Sequence, residues 1–223
     1  MLERQSDRDL KEEILRELKW DSRISRGNLN VEVNNAVVTL TGLVPSYAQK
    51  VAAQEAAHRV AGVLDVANEL EVKPGGGYLR TDCEIASAIR NALEWDALVP
   101  NELIQSSVSA GVVTLDGEVD YWRERNDAER AVKRLAGVIS VANKITIRKR
   151  QVDARQLREE IESALERRAD REAERLRIEV DNGAVDLWGR VHSWQEKRAV
   201  LGSISHAPGV TQVRDHIRID PYF

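Results

Sequence analysis

The sequence predicts an α+β protein of three tandem αββαβ units, each a small three-stranded mixed sheet with two helices packed on one face. Three observations predict it. A strand-like run closed by glycine occurs three times, at Ala36–Gly42, Gly111–Gly117 and Gly183–Gly189, with offsets of 75 and 72 residues. An apolar stripe at i, i+4, i+8 precedes each copy: Leu10/Ile14/Leu18, Ile85/Ile89/Leu93 and Leu157/Ile161/Leu165. A later glycine (Gly62, Gly137, Gly209) follows each strand-closing glycine (Gly42, Gly117, Gly189) by 20 residues. These six glycines are read as structural.

The elements follow in order. Ser6 or Asp7 caps a first helix whose apolar stripe is backed by Lys11, Glu12, Glu13, Arg16 and Glu17, the pattern of a helix packed on one side. It should end near Trp20-Asp21. Leu29-Asn30-Val31-Glu32-Val33 alternates as a half-buried strand. Asn34-Asn35 supplies a tight turn, and Val37 to Thr41 returns antiparallel, with Gly42 ending the strand. A second helix runs from about Ser46, with the small-residue face Val51, Ala52, Ala56 and Val60, and Gly62 stops it. Val63 to Val72 is the third strand, expected parallel to the second and beside the first after a right-handed crossover. The closing strands of the other units, Val141/Ile145/Ile147 and Val213/Ile217/Ile219, keep this register.

All variation in length falls between copies. The units are placed at residues 6–73, 81–149 and 153–220, joined by a Gly-rich linker (74–80) and a short one (150–152). A unit of some 63 residues is near the lower limit for independent folding, so contact between units is expected.

Composition excludes several classes. With 42% hydrophobic and 31% charged residues, the chain is neither disordered nor a membrane protein, and no stretch approaches the ~20 apolar residues of a spanning helix. Net charge is −4, and Lys plus Arg against Asp plus Glu counts 10 to 12, 11 to 11 and 12 to 14 in the three thirds, so nucleic acid is not an expected partner. Cys83 is the sole cysteine, which rules out an intrachain disulfide. The start of the chain has no apolar leader. A cytoplasmic location is expected if Met1 is the natural start, and a periplasmic one if a signal peptide was removed.

The αββαβ unit, the VVTLTG and VVTLDG strands, Trp20-Asp21 and Trp95-Asp96, and Val66-Ala67-Asn68 and Val141-Ala142-Asn143 together resemble the BON domain, in three tandem copies. The third copy departs: Arg167-Arg168 replaces Trp-Asp, Asp186 replaces Thr39, and Val213-Arg214-Asp215 replaces Val-Ala-Asn. The resemblance implies a non-enzymatic binding or scaffold protein that engages phospholipid surfaces or protein partners in osmotic or general stress, with no cofactor. The alternative it implies is a cytosolic potassium sensor.

The residues themselves offer no catalytic constellation. His58, His192, His206 and His216 have no zinc-ligand spacing, Cys83 has no histidine nearby in sequence, and Gly75-Gly76-Gly77 lacks a phosphate-loop context. The candidate binding residues are Tyr121, Trp122, Arg123 and Arg125, and Trp194, Lys197 and Arg198, which combine amphipathic rings with cations at the start of the second helix. Tyr47 holds the same position in the first unit. Recurrence at one position fits packing over the sheet edge or a neighbouring unit at least as well. Packing is also the expectation for Trp20 and Trp95 at the ends of the first helices.

Overall fold

The computed structural model describes residues 5–25, 29–75, 80–148, 153–168, 176–205 and 207–221. Unit one comprises α1 (Asp7–Trp20), β1 (Leu29–Asn34), β2 (Val37–Val44), α2 (Tyr47–Arg59) and β3 (Asp65–Val72). Unit two repeats the plan as α3 (Asp82–Trp95), β4 (Ile104–Ser109), β5 (Val112–Val119) and α4 (Trp122–Lys133). Its third strand is split into β6 (Ser140–Asn143) and β7 (Thr146–Ile147), and a single 3-10 turn (Asn101–Leu103) precedes β4. Unit three is α5 (Ala154–Arg168), β8 (Arg177–Asp181), β9 (Ala184–Val191), α6 (Trp194–Ile204) and β10 (Gln212–Ile219). Most of the Gly-rich linker, the second linker and His206 lie outside the described residues.

Each sheet is mixed, as the tight hairpin and the helical crossover predict, but the strand order differs from expectation. β2 is central: β1 pairs with it antiparallel and β3 pairs with it parallel on the opposite edge. The third strand therefore lies beside the second, not the first. The physical reason is that a hairpin return strand keeps one edge unpaired, and a helical crossover delivers the chain to that edge in the parallel sense, so that the central strand is paired on both sides. Units two and three repeat this arrangement.

Two further details depart from the sequence reading. The hairpin turn is centred on Asn35-Ala36, one residue later than expected, because Asn34 pairs with Val37 in the ladder. Both turn residues have positive φ (50° and 63°), as do Ala110 and Gly111 (49° and 75°) and Asn182 and Gly183 (47° and 82°). Second, Gly42, Gly117 and Gly189 lie inside their strands rather than ending them. At Gly117 a Cβ would stand 2.2 Å from the Leu103 carbonyl oxygen, so glycine is required there by the chain that crosses it.

The turns show why the first helix matters to the hairpin. The Asp7 carboxylate, in the first turn of α1, accepts hydrogen bonds from the backbone N–H groups of Asn35 and Ala36 at 2.9 Å. Asp82 does the same for Ala110 and Gly111 at 2.8 and 2.9 Å. Unit three has Ala154 at this place and instead carries Asn182-Gly183, the residue pair that adopts such a turn most readily. Where the turn contains an alanine at positive φ, a carboxylate holds it.

Each unit has its own core. In unit one Leu10, Ile14 and Leu18 of α1 pack on Val31, Val38, Leu40, Val44 and Leu70 of the sheet. Homologous cores form around Ile85, Ile89 and Leu93 and around Leu157, Ile161 and Leu165. Helix α2 is the exception to one-sided burial. Ala52, Ala53, Ala56, Ala57 and His58 are all buried, because α2 faces its own sheet on one side and α6 of unit three on another. Small side chains let it approach both.

The clamp gives a direct prediction. Asp7→Ala and Asp82→Ala each remove a charged acceptor from two backbone donors and should destabilise the chain by about 1–2 kcal/mol. Glu12→Ala, which removes an exposed ion pair with Arg8, should change stability by less than about 0.5 kcal/mol. Urea unfolding of the three variants separates these outcomes.

Candidate functional site

The entrances of the second helices are largely built into the fold. In α4, Glu124 accepts from the backbone N–H groups of Asp120 and Tyr121 and so closes the helix start, leaving the Tyr121 ring 37% exposed. Trp122 packs against the unit-two core, with the Arg125 guanidinium 5.1 Å from its ring centroid. Arg125 donates to the carbonyl oxygens of Ile145 and Asn143, and Lys197 in unit three likewise donates to Ile217 and pairs with Asp215. These cations tie the helix to the third strand. Asn143 completes the tie in unit two by donating to the Arg125 carbonyl and to Glu129, as Asn68 does in unit one with Lys50 and Gln54. Arg123 lies 3.8 Å from the buried Asp127.

Trp194 and Arg198 join unit three to unit one. The Trp194 ring stacks on His58 of α2, with centroids 3.8 Å apart and planes 16° from parallel. Arg198 Nη2 lies 3.2 Å from His58 Nδ1. Since guanidinium can only donate, Nδ1 accepts and the ring proton sits on Nε2. Among the described residues, neither His58 Nε2 nor Trp194 Nε1 has a hydrogen-bond partner. Burial, and next Arg198, push the His58 pKa down to about 4; Lys197 pushes the same way, while Asp65 and Glu55 oppose. The histidine is therefore neutral at physiological pH.

Unit one also meets unit two. Tyr47 packs against the unit-two core. Beside it a groove of about 670 Å³ runs between α2 and α4, floored by Ala48, Val51 and Ala52 and rimmed by Arg23, Arg130, Lys133 and Arg134. Three of these cations already hold carboxylates: Arg23 binds Asp21 and Glu55, Arg130 binds Asp127 and Lys133 binds Glu129. The three recurring aromatics Tyr47, Trp122 and Trp194 thus serve packing, two of them between units.

The ends of the first helices reverse the packing expectation. Trp20 and Trp95 are 86% and 87% exposed. Each lies two residues past the last core residue of its helix, Leu18 or Leu93, which is about 200° around the axis and off the buried stripe. That phase was the signal in the sequence. Around Trp20 the chain is tightly ion-paired. Asp21 is gripped by Arg23 and Arg59, which, Arg23 foremost, hold its carboxyl well below the ordinary range against the effect of burial. Arg23 reaches on to Glu55 and Arg59 to Glu17. Unit two has Leu98 where unit one has Arg23, and Leu98 and Leu103, in the loop that follows Trp95, are 51% and 41% exposed.

Among the described residues no group of three or more His, Cys, Asp or Glu side chains is placed to hold a metal ion, and no helix is long and apolar enough to cross a membrane. Cys83 is exposed.

Comparison with known proteins agrees with this architecture. A family model described as the BON domain matches residues 6–74, 81–149 and 153–221. The Osmotically-inducible protein Y of Escherichia coli (strain K12) is 36% identical over 125 residues, 54% of this chain and 62% of that relative's length. Two solved chains of CdsD, a structural protein of the type III secretion system of Chlamydia trachomatis, align over 95% and 97% of this chain and 92% and 100% of theirs. Their identities are 12% and 13% and their TM-scores 0.28 and 0.27, a likeness too slight to carry an argument.

The His58 contact makes the junction of units one and three pH-dependent. Its folded pKa is depressed, so the contact is at full strength above about pH 6.5 and weakens as pH falls toward 4, by at most about 1.4 kcal/mol per pH unit. Thermal melts at pH 7.5 and 5.0 should show a drop for the wild type that is visibly smaller for His58→Gln.

Proposed function

The chain belongs to the BON domain family, and from that premise we propose that it is a non-enzymatic binding protein that engages a phospholipid surface or a protein partner during osmotic stress. The stress setting is supported by the likeness to the Osmotically-inducible protein Y over roughly half of the present chain. Binding rather than catalysis is supported by the way polar side chains are used: they cap helices, clamp turns and join units. The single observation that carries the reading is Trp20. It is 86% exposed at the end of α1, beside the exposed Lys19 and one helical turn from the exposed Arg16. An indole with apolar body and N–H edge belongs at the headgroup level of a bilayer, and each nearby cation adds about 1 kcal/mol toward an anionic surface.

The helix-two entrances take a secondary part in this reading. Tyr121 and Arg123 are accessible at the start of α4, whereas Arg125 and Lys197 face backbone carbonyls and Trp194 and Arg198 face His58. Contact through Trp194 would require units one and three to separate, and contact through Trp122 would require its ring to leave the core of its own unit, so these residues act through the shape of the surface.

Co-sedimentation with vesicles of phosphatidylcholine and phosphatidylglycerol at low salt tests the lipid form. The wild type should pellet, Trp20→Ala should bind about tenfold more weakly, and Trp122→Ala should bind as the wild type does if it folds. Equal pelleting of wild type and Trp20→Ala would remove Trp20 from the contact. No pelleting of either would remove the lipid surface.

A further inference from the structure

Unit two carries an apolar tip in a stretch of sequence whose charges are all acidic. Trp95, Leu98 and Leu103 are 87%, 51% and 41% exposed at the end of α3 and in the loop that follows. The loop is ordered by its own backbone: Leu98 N–H donates to the Asp96 carboxylate, Val99 N–H to the Asp96 carbonyl and Leu103 N–H to the Pro100 carbonyl. Val99 is buried beneath it, and the Leu103 carbonyl rests over Gly117, where no side chain would fit. The leucines are thus held outward by a fixed scaffold.

The charge of the stretch that forms this tip is one-sided, with Arg90 one helical turn before Glu94 as the nearest cation in sequence. From Asn91 to Trp122 there is no Lys, Arg or His, while Glu94, Asp96, Glu102, Asp116, Glu118 and Asp120 fall in the same stretch. Glu118 and Asp120 meet Arg148. Glu94, Asp96 and Glu102 have no cation partner among the described residues. The corresponding stretch of unit one contains Arg16, Lys19, Arg23 and Arg26, and its Asp21 is closed off by two arginines. Replacing Arg23 by Leu98 removes one of the arginines at this place and adds an apolar side chain, while Arg134 keeps the position of Arg59.

From this contrast we infer that the unit-two tip is a docking surface for a basic amphipathic segment of a protein partner. Apolar side chains of the segment cover Leu98 and Leu103, a Lys or Arg lies over the Trp95 face, and further cations meet Glu94, Asp96 and Glu102. An anionic membrane is disfavoured by the same carboxylates. The exposed patch is small, which suits a short segment and a transient complex rather than an obligate interface. The inference rests on the reading of the chain as a binding protein and names the partner of one of its surfaces.

The test uses the full chain and three probes: a labelled amphipathic peptide of Lys and Leu, its Glu and Leu counterpart, and phosphatidylglycerol vesicles. The Lys/Leu peptide should bind by fluorescence anisotropy, and the binding should weaken with salt. It should weaken about tenfold in Trp95→Ala and in Leu98→Arg, which restores the unit-one residue, and change less than twofold in Trp20→Ala. The Glu/Leu peptide should not bind. All three positions are exposed, so melting temperatures should stay within about 2 °C of the wild type and report intact folding. Equal binding of both peptides, or no loss in Leu98→Arg, overturns the inference. So does vesicle binding that is abolished by Trp95→Ala, which assigns the tip to a membrane. Vesicle binding that survives Trp95→Ala with no peptide binding overturns it too but leaves the binding reading standing; no binding to any probe removes both.

Discussion

Everything in this structure depends on the central strand of each unit being hydrogen-bonded on both edges. β2, β5 and β9 each take an antiparallel neighbour from the hairpin and a parallel one from the crossover. Their inward residues, Val38 and Leu40, Val113 and Leu115, Val185 and Leu187, are buried almost completely. A 63-residue unit has little apolar surface to bury, so the strand with the most contacts sets the register of all others. That is why the inward Val and Leu of this run recur in all three copies while the residues beside them vary: a slip by one residue would turn the apolar side chains to the solvent. The glycine near the end of the run serves the same strand differently. It lets the preceding connection cross directly over the sheet, as Leu103 does over Gly117.

The rest of each unit is attached to that strand by polar devices that differ in chemistry but not in place. An aspartate from the first helix holds the turn in units one and two, while unit three relies on Asn-Gly. An asparagine ties the third strand to the second helix in units one and two. In unit three Asp215 and Lys197 make the tie as an ion pair. Changes that look like loss of a motif in the third copy are therefore exchanges of one solution for another, with the fold intact.

The fold was almost wholly legible in the sequence, because periodicity reports burial and the three copies cross-check one another. The misses have local causes. The order of strands depends on whether the crossover reaches the free edge of β2 or that of β1, which spacing does not encode. The turn was displaced by one residue because the asparagine pair Asn34-Asn35 outshone Ala36 as a candidate for positive φ. The site was less legible. Rings and cations at the second helix looked like a binding surface, yet Arg125 and Lys197 reach backbone carbonyls, and Trp194 meets a histidine 136 residues earlier in the chain. Contacts between units leave no periodic trace. The exposure of Trp20 and Trp95, by contrast, was written in the helix phase and was obscured only by the habit of tryptophan to be buried.

Once the units are seen as docked, similarity between copies and difference between them carry separate meanings. What the copies share is spent on strand pairing, caps and ties. What they do not share falls on surfaces: an ion-paired tip around Trp20, an open acidic tip around Trp95, and Arg167-Arg168 at that place in the third sequence. Identical tips would make the chain a trivalent binder of one surface, gaining from avidity. Tips of different charge do not fit that case, because no single surface complements them all. The His58–Trp194 stack, together with the packing of Tyr47 against unit two, then gives those unlike surfaces a defined relation to one another.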